Sequence, residues 1–313
     1  MSILLRQIAI CCALVLSPFA ASHAQFVPPG IEKTELERVA GNVYTFRWGA
    51  YRSMFVVSST GVIVTDPLSV EAAAAYREAI RTVTDLPVTH VVYSHCHWDH
   101  APGGQIFKDE GATVIAQEGC VENLAMSPNP DLVPPDITFD KTYSVVSGDE
   151  QLDLYYFGPS HDTCLIVMVS PSTKLMYTVD ILTPRPHGNY MPWDPQVADF
   201  HFYNAVEYLT QMEKLAADEN IEIILGAHLV PRPAGKGKFE PTPSTGPASS
   251  ITDRRLFWEK VMGAVKAEMD AGTESFMVPN RVDLTQFEDI PGYRKSKMKE
   301  LLARISAYYA IGR

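Results

Sequence analysis

The sequence predicts a layered α/β protein, and three observations carry that expectation. The apolar pattern switches repeatedly between strand-like alternation and helical spacing. The strand-like runs are short and bounded by turn residues. Hydrophobic residues make up 46% and charged residues 20% of the 313-residue chain, which excludes disorder, collagen and coiled coil as descriptions of the whole. Strands and helices mixed in this way bury their apolar faces by stacking in layers.

Taken in order, residues 42–48, 54–57 and 62–65 read as strands, broken by Ser59, Thr60 and Gly61. Residues 71–84 form an Ala-rich amphipathic helix. Residues 88–93 are the next strand, 105–110 a short helix and 112–116 a strand. Prolines mark 128–135 as a loop. Strands follow near 152–156, 165–169 and 175–179, then a long helix over 203–218 and a strand at 221–225. The stretch 234–250 is rich in Gly, Pro and Ser and reads as a surface loop or linker. Residues 251–313 form a C-terminal helical extension, with helices at 251–269 and 295–309. The main domain is thus 25–233.

Residues 1–24 read as a secretory signal peptide. Arg6 precedes a short apolar run at 8–21, and Ser22 and Ala24 place small residues at a cleavage site. The run is shorter than the ~20 apolar residues of a transmembrane helix. The expectation is a periplasmic or secreted protein with no stable membrane span after cleavage. With 26 Lys+Arg against 37 Asp+Glu, a formal charge of -11, the chain lacks the basic excess that a nucleic-acid partner needs. A small-molecule substrate is expected instead. Beyond residue 24 stand Cys96, Cys120 and Cys164. An odd number in an oxidising compartment allows at most one disulfide, so this is no disulfide scaffold. Cys120 and Cys164 could pair, although their spacing gives no support for it.

The strand at 88–93 runs into Ser94-His-Cys-His-Trp-Asp-His100, with three His and one Asp in six residues. His95 and His97 are two apart, so an extended backbone turns both to one side. Asp99 shares that phase, and His100 begins the next turn. Imidazole and carboxylate together suit zinc or another borderline divalent metal. Cys96 should point the other way, as a small packed residue. Trp98 is expected to pack beneath the loop, and His90 to be a core residue or a support for the ligands. His187 and His201 read as surface or loop residues.

This H-x-H-x-D-H motif resembles that of the metallo-β-lactamase superfamily, and the resemblance extends over about 39–228. Val62-Ile-Val-Thr-Asp66 looks like the family's first motif, whose Asp supports the metal loop. Gly158-Pro-Ser-His161 resembles the turn carrying a third His, and Tyr177-Thr-Val-Asp180 the strand ending in a bridging carboxylate. Leu225-Gly-Ala-His228 resembles the closing Gly-x-x-His. The resemblance implies a four-layer αββα sandwich, here with the helical extension, and two metals at one edge. His95, His97 and His161 would hold one cation. Asp99, His100 and His228 would hold the other, and Asp180 would bridge them.

The implied activity is that of an exported dinuclear zinc-dependent hydrolase. A metal-bridging hydroxide, available because two cations lower the pKa of water to ~7 or below, would cleave an ester, lactone, thioester or amide. Asp99 is the candidate proton donor to the leaving group. The cofactor would be Zn2+, two per chain, with Fe or Mn accepted by the same ligands. Asp180 makes the ligand set resemble glyoxalase-II-like thioesterases and lactonases more than lactamases, which place Cys or Ser there. The alternatives are a β-lactamase, a mononuclear iron enzyme like the persulfide dioxygenases, and a non-catalytic metal-binding accessory protein. The irregular segment 182–199 reads as a substrate-facing wall, with Arg185 or His187 meeting an anionic group and Tyr190 and Trp193 lining it.

Overall fold

The computed structural model describes residues 27–184 and 201–312. One sheet has seven strands in sequential order, β1 (Thr34–Ala40), β2 (Val43–Trp48), β3 (Tyr51–Val57), β4 (Val62–Thr65), β5 (Val88–Val92), β6 (Thr113–Gln117) and β7 (Ile137–Phe139). Helices α1 (Val70–Arg81), α2 (Gln105–Asp109) and α3 (Gly119–Met126) interrupt its second half. The second half of the chain supplies β8 (Thr142–Ser147), β9 (Glu150–Tyr155), β10 (Val167–Ser170), β11 (Leu175–Thr178), helix α4 (Phe202–Asp218) and β12 (Ile223–Gly226). A hairpin of β13 (Pro231–Gly235) and β14 (Lys238–Pro241) precedes β15 (Thr245–Pro247), and α5 (Ser249–Asp270), α6 (Val278–Arg281) and α7 (Lys295–Ile311) follow. The six-stranded sheet runs β15-β12-β11-β10-β9-β8.

Side-chain alternation along the first sheet divides the molecule into layers. On β3, Met54 and Val56 face the second sheet while Phe55 faces α1. On β4, Ile63 faces inward, with Val62 and Val64 on the helix side. The same alternation continues through Val91 and Val92 and through Val114, Ile115 and Ala116, as the two-residue period of a strand requires. The expected αββα sandwich is therefore present: α1 to α3, the first sheet, the second sheet, then α4, α5 and α7.

Helix α1 begins where Ser69 accepts a hydrogen bond from the Ala72 amide at 3.1 Å, satisfying one of the helix's unpaired donors. Glu71 and Arg81 lie in its first and last turns, each matched to the helix dipole. Tyr76 stacks on Phe46 at 5.0 Å between ring centroids and donates its hydroxyl to Met54 O at 2.7 Å. Across the sandwich, Tyr177 of β11 donates to Arg52 O of β3 at 2.6 Å.

One expectation changes. The stretch 234–250 is not a plain linker: it contains β14 and β15, and Gly246 of β15 pairs with Ile224 of β12. Pro and Gly obscured a strand there, and both are tolerated at a sheet edge. The expected C-terminal helical extension is present and packs on the second sheet, where Phe257, Trp258, Val261, Leu301 and Ile305 share one continuous core with β10, β11 and β12. Among the described residues, no helix is long and apolar enough to cross a membrane.

Candidate metal centre

β4 and β5 are parallel, and so are β11 and β12. Their carboxyl ends therefore point the same way within each sheet, and ligands collect beyond such ends in α/β sheets. Asp66 follows β4, the His95–His100 loop follows β5, Asp180 follows β11 and His228 follows β12. His161 lies in the connection between β9 and β10.

Asp66 ties the loop to the sheet. Its Oδ1 accepts from the Ser94 amide at 2.8 Å, and the Leu68 amide donates to His100 O at 2.7 Å. Asp66 and Leu68 both have positive φ, 33° and 72°, a conformation that costs a non-glycine residue energy and that clusters at functional sites. Burial pushes the Asp66 carboxyl up to about 6, against the opposing charge of His100.

The side chains converge in two groups that share Asp180. His95, His97, His161 and Asp180 each offer one ligand atom, all within 4.8 Å of one another, and His100, Asp180 and His228 do the same. Asp180 Oδ2 lies 3.2 Å from Nε2 of His95, 3.2 Å from Nε2 of His161 and 3.3 Å from Nε2 of His100. Its Oδ1 faces Nε2 of His228. Asp99 falls outside the second group, with its Oδ2 3.6 Å from His100 Nε2. Asp180 also has φ of 59°, so the backbone itself is bent to present this carboxylate.

The electrostatics match a cation. Burial alone would raise the Asp180 pKa, but His100, His228 and His161 outweigh it and hold the carboxyl well below its usual range. Burial lowers His95 to about 4, despite the nearby carboxylate. For His100 the order reverses, and Asp180 and Asp99 overcome burial to raise it to about 10. The Nε2 atoms of His95, His100 and His228 are buried and form no well-aligned hydrogen bond. Buried nitrogen that aims at a shared carboxylate without a bonding partner is what a resident cation satisfies. The residues fit the divalent metals that the motif implies.

Sequence reading missed Tyr51. Its ring meets His228 edge-on at 5.1 Å and His100 at 5.5 Å. Burial, the charges of Asp99 and Asp180 and a hydrogen bond to Asp99 push its hydroxyl up to about 12. The signal was Gly49-Ala50: a two-residue hairpin turn with Gly at positive φ carries the strand back to position 51. That hairpin also clamps the His228 segment, because Arg52 N donates to Ala227 O at 2.7 Å and Leu229 N to Ala50 O at 2.8 Å.

Trp98 is 50% exposed rather than packed beneath the loop. It sits in the tight turn that starts after His97, so strand alternation no longer governs its direction. His90 is half-buried and bonded through Nδ1 to Thr89 Oγ1 at 3.0 Å. Cys120 and Cys164 are free thiols, as is Cys96, and all three are buried. Arg185, His187, Tyr190 and Trp193 lie outside the described residues, as does the 1–24 segment.

The chain belongs to the metallo-β-lactamase superfamily, a class of metal-dependent hydrolases, whose profile matches residues 47–228. It is 30% identical over 159 residues to the 2,4-dinitroanisole O-demethylase subunit alpha of Nocardioides sp. (strain JS1661), a stretch covering 50% of this chain and 48% of that one. It is 26% identical over 153 residues to the type 2 metallo-beta-lactamase of Elizabethkingia meningoseptica, covering 46% of this chain and 60% of that one. The chain thus matches about half the length of these curated relatives. Among solved structures it resembles a metallo-beta-lactamase from Pontibacter korlensis, with TM-score 0.60 and 16% identity over 72% of this chain and 99% of that one. It also resembles the DIM-1 metallo-beta-lactamase, with TM-score 0.56 and 14% identity over 73% and 98%. At these identities the structural likeness concerns the fold.

Proposed function

We propose that this protein is an exported dinuclear zinc hydrolase that cleaves an ester, lactone, thioester or amide bond in a small molecule. The observation that carries the reading is Asp180, one carboxylate common to two ligand groups. A single iron held by a smaller set would leave the His100 and His228 side without a purpose. Bound in these groups, two divalent cations supply Lewis acidity and a hydroxide at neutral pH. Asp180 turns Oδ2 toward His95, His161 and His100 and Oδ1 toward His228, so its carboxylate would serve both groups, which His95, His97 and His161 complete on one side and His100 and His228 on the other. Asp99 stands at the margin with its carboxylate held below the usual range, mainly by His100 against the effect of burial. There, as an ionised base, it is placed to take a proton from the attacking water and hand it on to a leaving group, with Tyr51 fixing its orientation. Export rests on the basic and apolar pattern of residues 1–24.

The test is elemental analysis of purified protein with a hydrolysis panel, before and after chelation. The panel holds esters, lactones, thioesters and nitrocefin, and adds an aryl methyl ether because of the Nocardioides relative. Two zinc ions per chain and chelator-sensitive hydrolysis support the reading. Metal near zero in active protein, or one iron with oxygen-dependent turnover, overturns it.

A further inference from the structure

Behind the metal loop lies a second cluster that the hydrolase reading does not use. Cys96 points away from its neighbours His95 and His97 and meets Cys120, from the first turn of α3, and Cys164, from the stretch after His161. All three thiols are buried and unpaired, and their sulfurs lie within 4.8 Å of one another. The approach is built into the chain: a Cβ added at Gly119 would stand 3.3 Å from the Cys164 Cβ and 2.9 Å from Gln117 Oε1. Glycine at 119 lets the start of α3 settle against Cys164.

The three cysteines lie in the apolar core on the helix side of the first sheet, with polar neighbours at one edge. Asn123 Nδ2 donates to Cys164 Sγ at 3.6 Å and to Asp162 Oδ1 at 3.0 Å. The Cys164 thiol donates to Asp162 Oδ2 at 3.4 Å, which sets a carboxylate oxygen at the edge of the cluster. Cys120 occupies the first turn of a helix, where the dipole favours negative charge.

We propose that Cys96, Cys120 and Cys164 form a buried three-sulfur site for a thiophilic divalent cation of the Zn2+ class, distinct from the His/Asp centre. Zinc–thiolate bonds of ~2.3 Å place three sulfurs ~4 Å apart around one ion, within the spread observed. Thiolates select zinc and copper(I) over hard cations. Charge separates those two: with Asp162 alongside, a monovalent ion leaves one more uncompensated negative charge in the interior than a divalent one, and buried charge is costly. A cation here would cross-link the metal loop, α3 and the segment following His161 without entering the reaction. The inference does not depend on the hydrolase reading.

The experiment uses the full-length chain carrying Cys11→Ser and Cys12→Ser, so that only these three thiols remain. The reduced, metal-stripped protein is titrated with Cd2+ and followed by the ultraviolet thiolate-to-cadmium charge-transfer band, which imidazole and carboxylate ligands do not produce. The proposal expects the band in this protein and its loss in Cys120→Ser and Cys164→Ser. The sulfur neighbours per ion counted by X-ray absorption of the Cd2+-loaded parent, multiplied by the Cd2+ bound per chain, should sum to three per chain, because the His/Asp centre contributes none. No band in the reduced parent, or sulfur neighbours summing to fewer than three per chain, overturns the proposal whatever the serine variants do.

Discussion

The Asp66 carboxylate receives the Ser94 amide at 2.8 Å, so a wholly buried acid at the end of one strand fixes the residue that opens the histidine loop on the next. Asp66 touches none of the clustered ligand atoms, yet it sets where His95 begins. Asp66→Ala should weaken metal affinity by roughly 10–100-fold, the usual effect of removing a ligand's support. Asp66→Asn keeps an acceptor for the Ser94 amide and should recover part of the loss. Competition against a chromogenic chelator measures both, and unchanged affinity in Asp66→Ala would remove its supporting role.

Asp180→Ala removes a ligand from both groups at once, while His228→Ala removes one from the second group only. Metal content per chain should therefore fall further in Asp180→Ala than in His228→Ala. Elemental analysis after gel filtration decides it, and equal losses would count against a shared carboxylate.

Tyr51→Phe keeps the ring against His100 and His228 and deletes only the hydroxyl bonded to Asp99. A hydrogen bond to a charged group contributes about 1.5–3 kcal/mol, so turnover should fall by ~10–100-fold with metal content unchanged. Metal content that falls in step with turnover would make Tyr51 a structural prop instead.

Glu35 accepts from two buried guanidinium groups, Arg47 Nε at 2.9 Å and Arg52 Nη2 at 3.3 Å. Burial tends to raise its pKa, but Arg47 and Arg52 prevail and hold it below the ordinary 4.5. An acid with a depressed folded pKa stabilises the fold fully above its unfolded value and loses that contribution as pH falls through the folded value. Urea midpoints should thus drop below about pH 4.5, and Glu35→Gln should flatten this acid limb. A limb of unchanged steepness in Glu35→Gln would assign it to other carboxylates.

Trp258 is fully buried in the core between α5 and the second sheet. Trp258→Ala should cost about 3–5 kcal/mol in chemical unfolding. Any variant that remains folded should keep its metal content, since this residue lies in the outer helical layer. A loss of metal at full folding would show that the outer layer reaches the centre.

Much of the fold was legible because period carries it. The helix expected at 71–84 is α1, and the strand expected at 88–93 is β5, since both have one clearly apolar face. β1 went unread because Glu35, Glu37 and Arg38 dominate its seven residues, and it is an edge strand with little to bury. β8 alternates Val145 inward with Val146 exposed, a signal too short to stand out beside the Pro-rich loop. At the site, the clustering of His95, His97, His100, His161, Asp180 and His228 was readable because strand ends fix them in sequence-local motifs. Tyr51 and the meeting of the three cysteines were not, because they depend on contacts between segments far apart in the chain. No periodicity records which residues two folded layers bring together.

The core around the second sheet runs without a break from Val43 of β2 to Ile305 of α7. During synthesis, a nascent chain that has already formed β10, β11 and β12 still lacks α5 and α7 to cover them. An apolar sheet face then stays open to solvent until the last turns of α7 leave the ribosome. The family-matched region ends at residue 228, well before that point, so a chain truncated there should be a chaperone client rather than a smaller working protein.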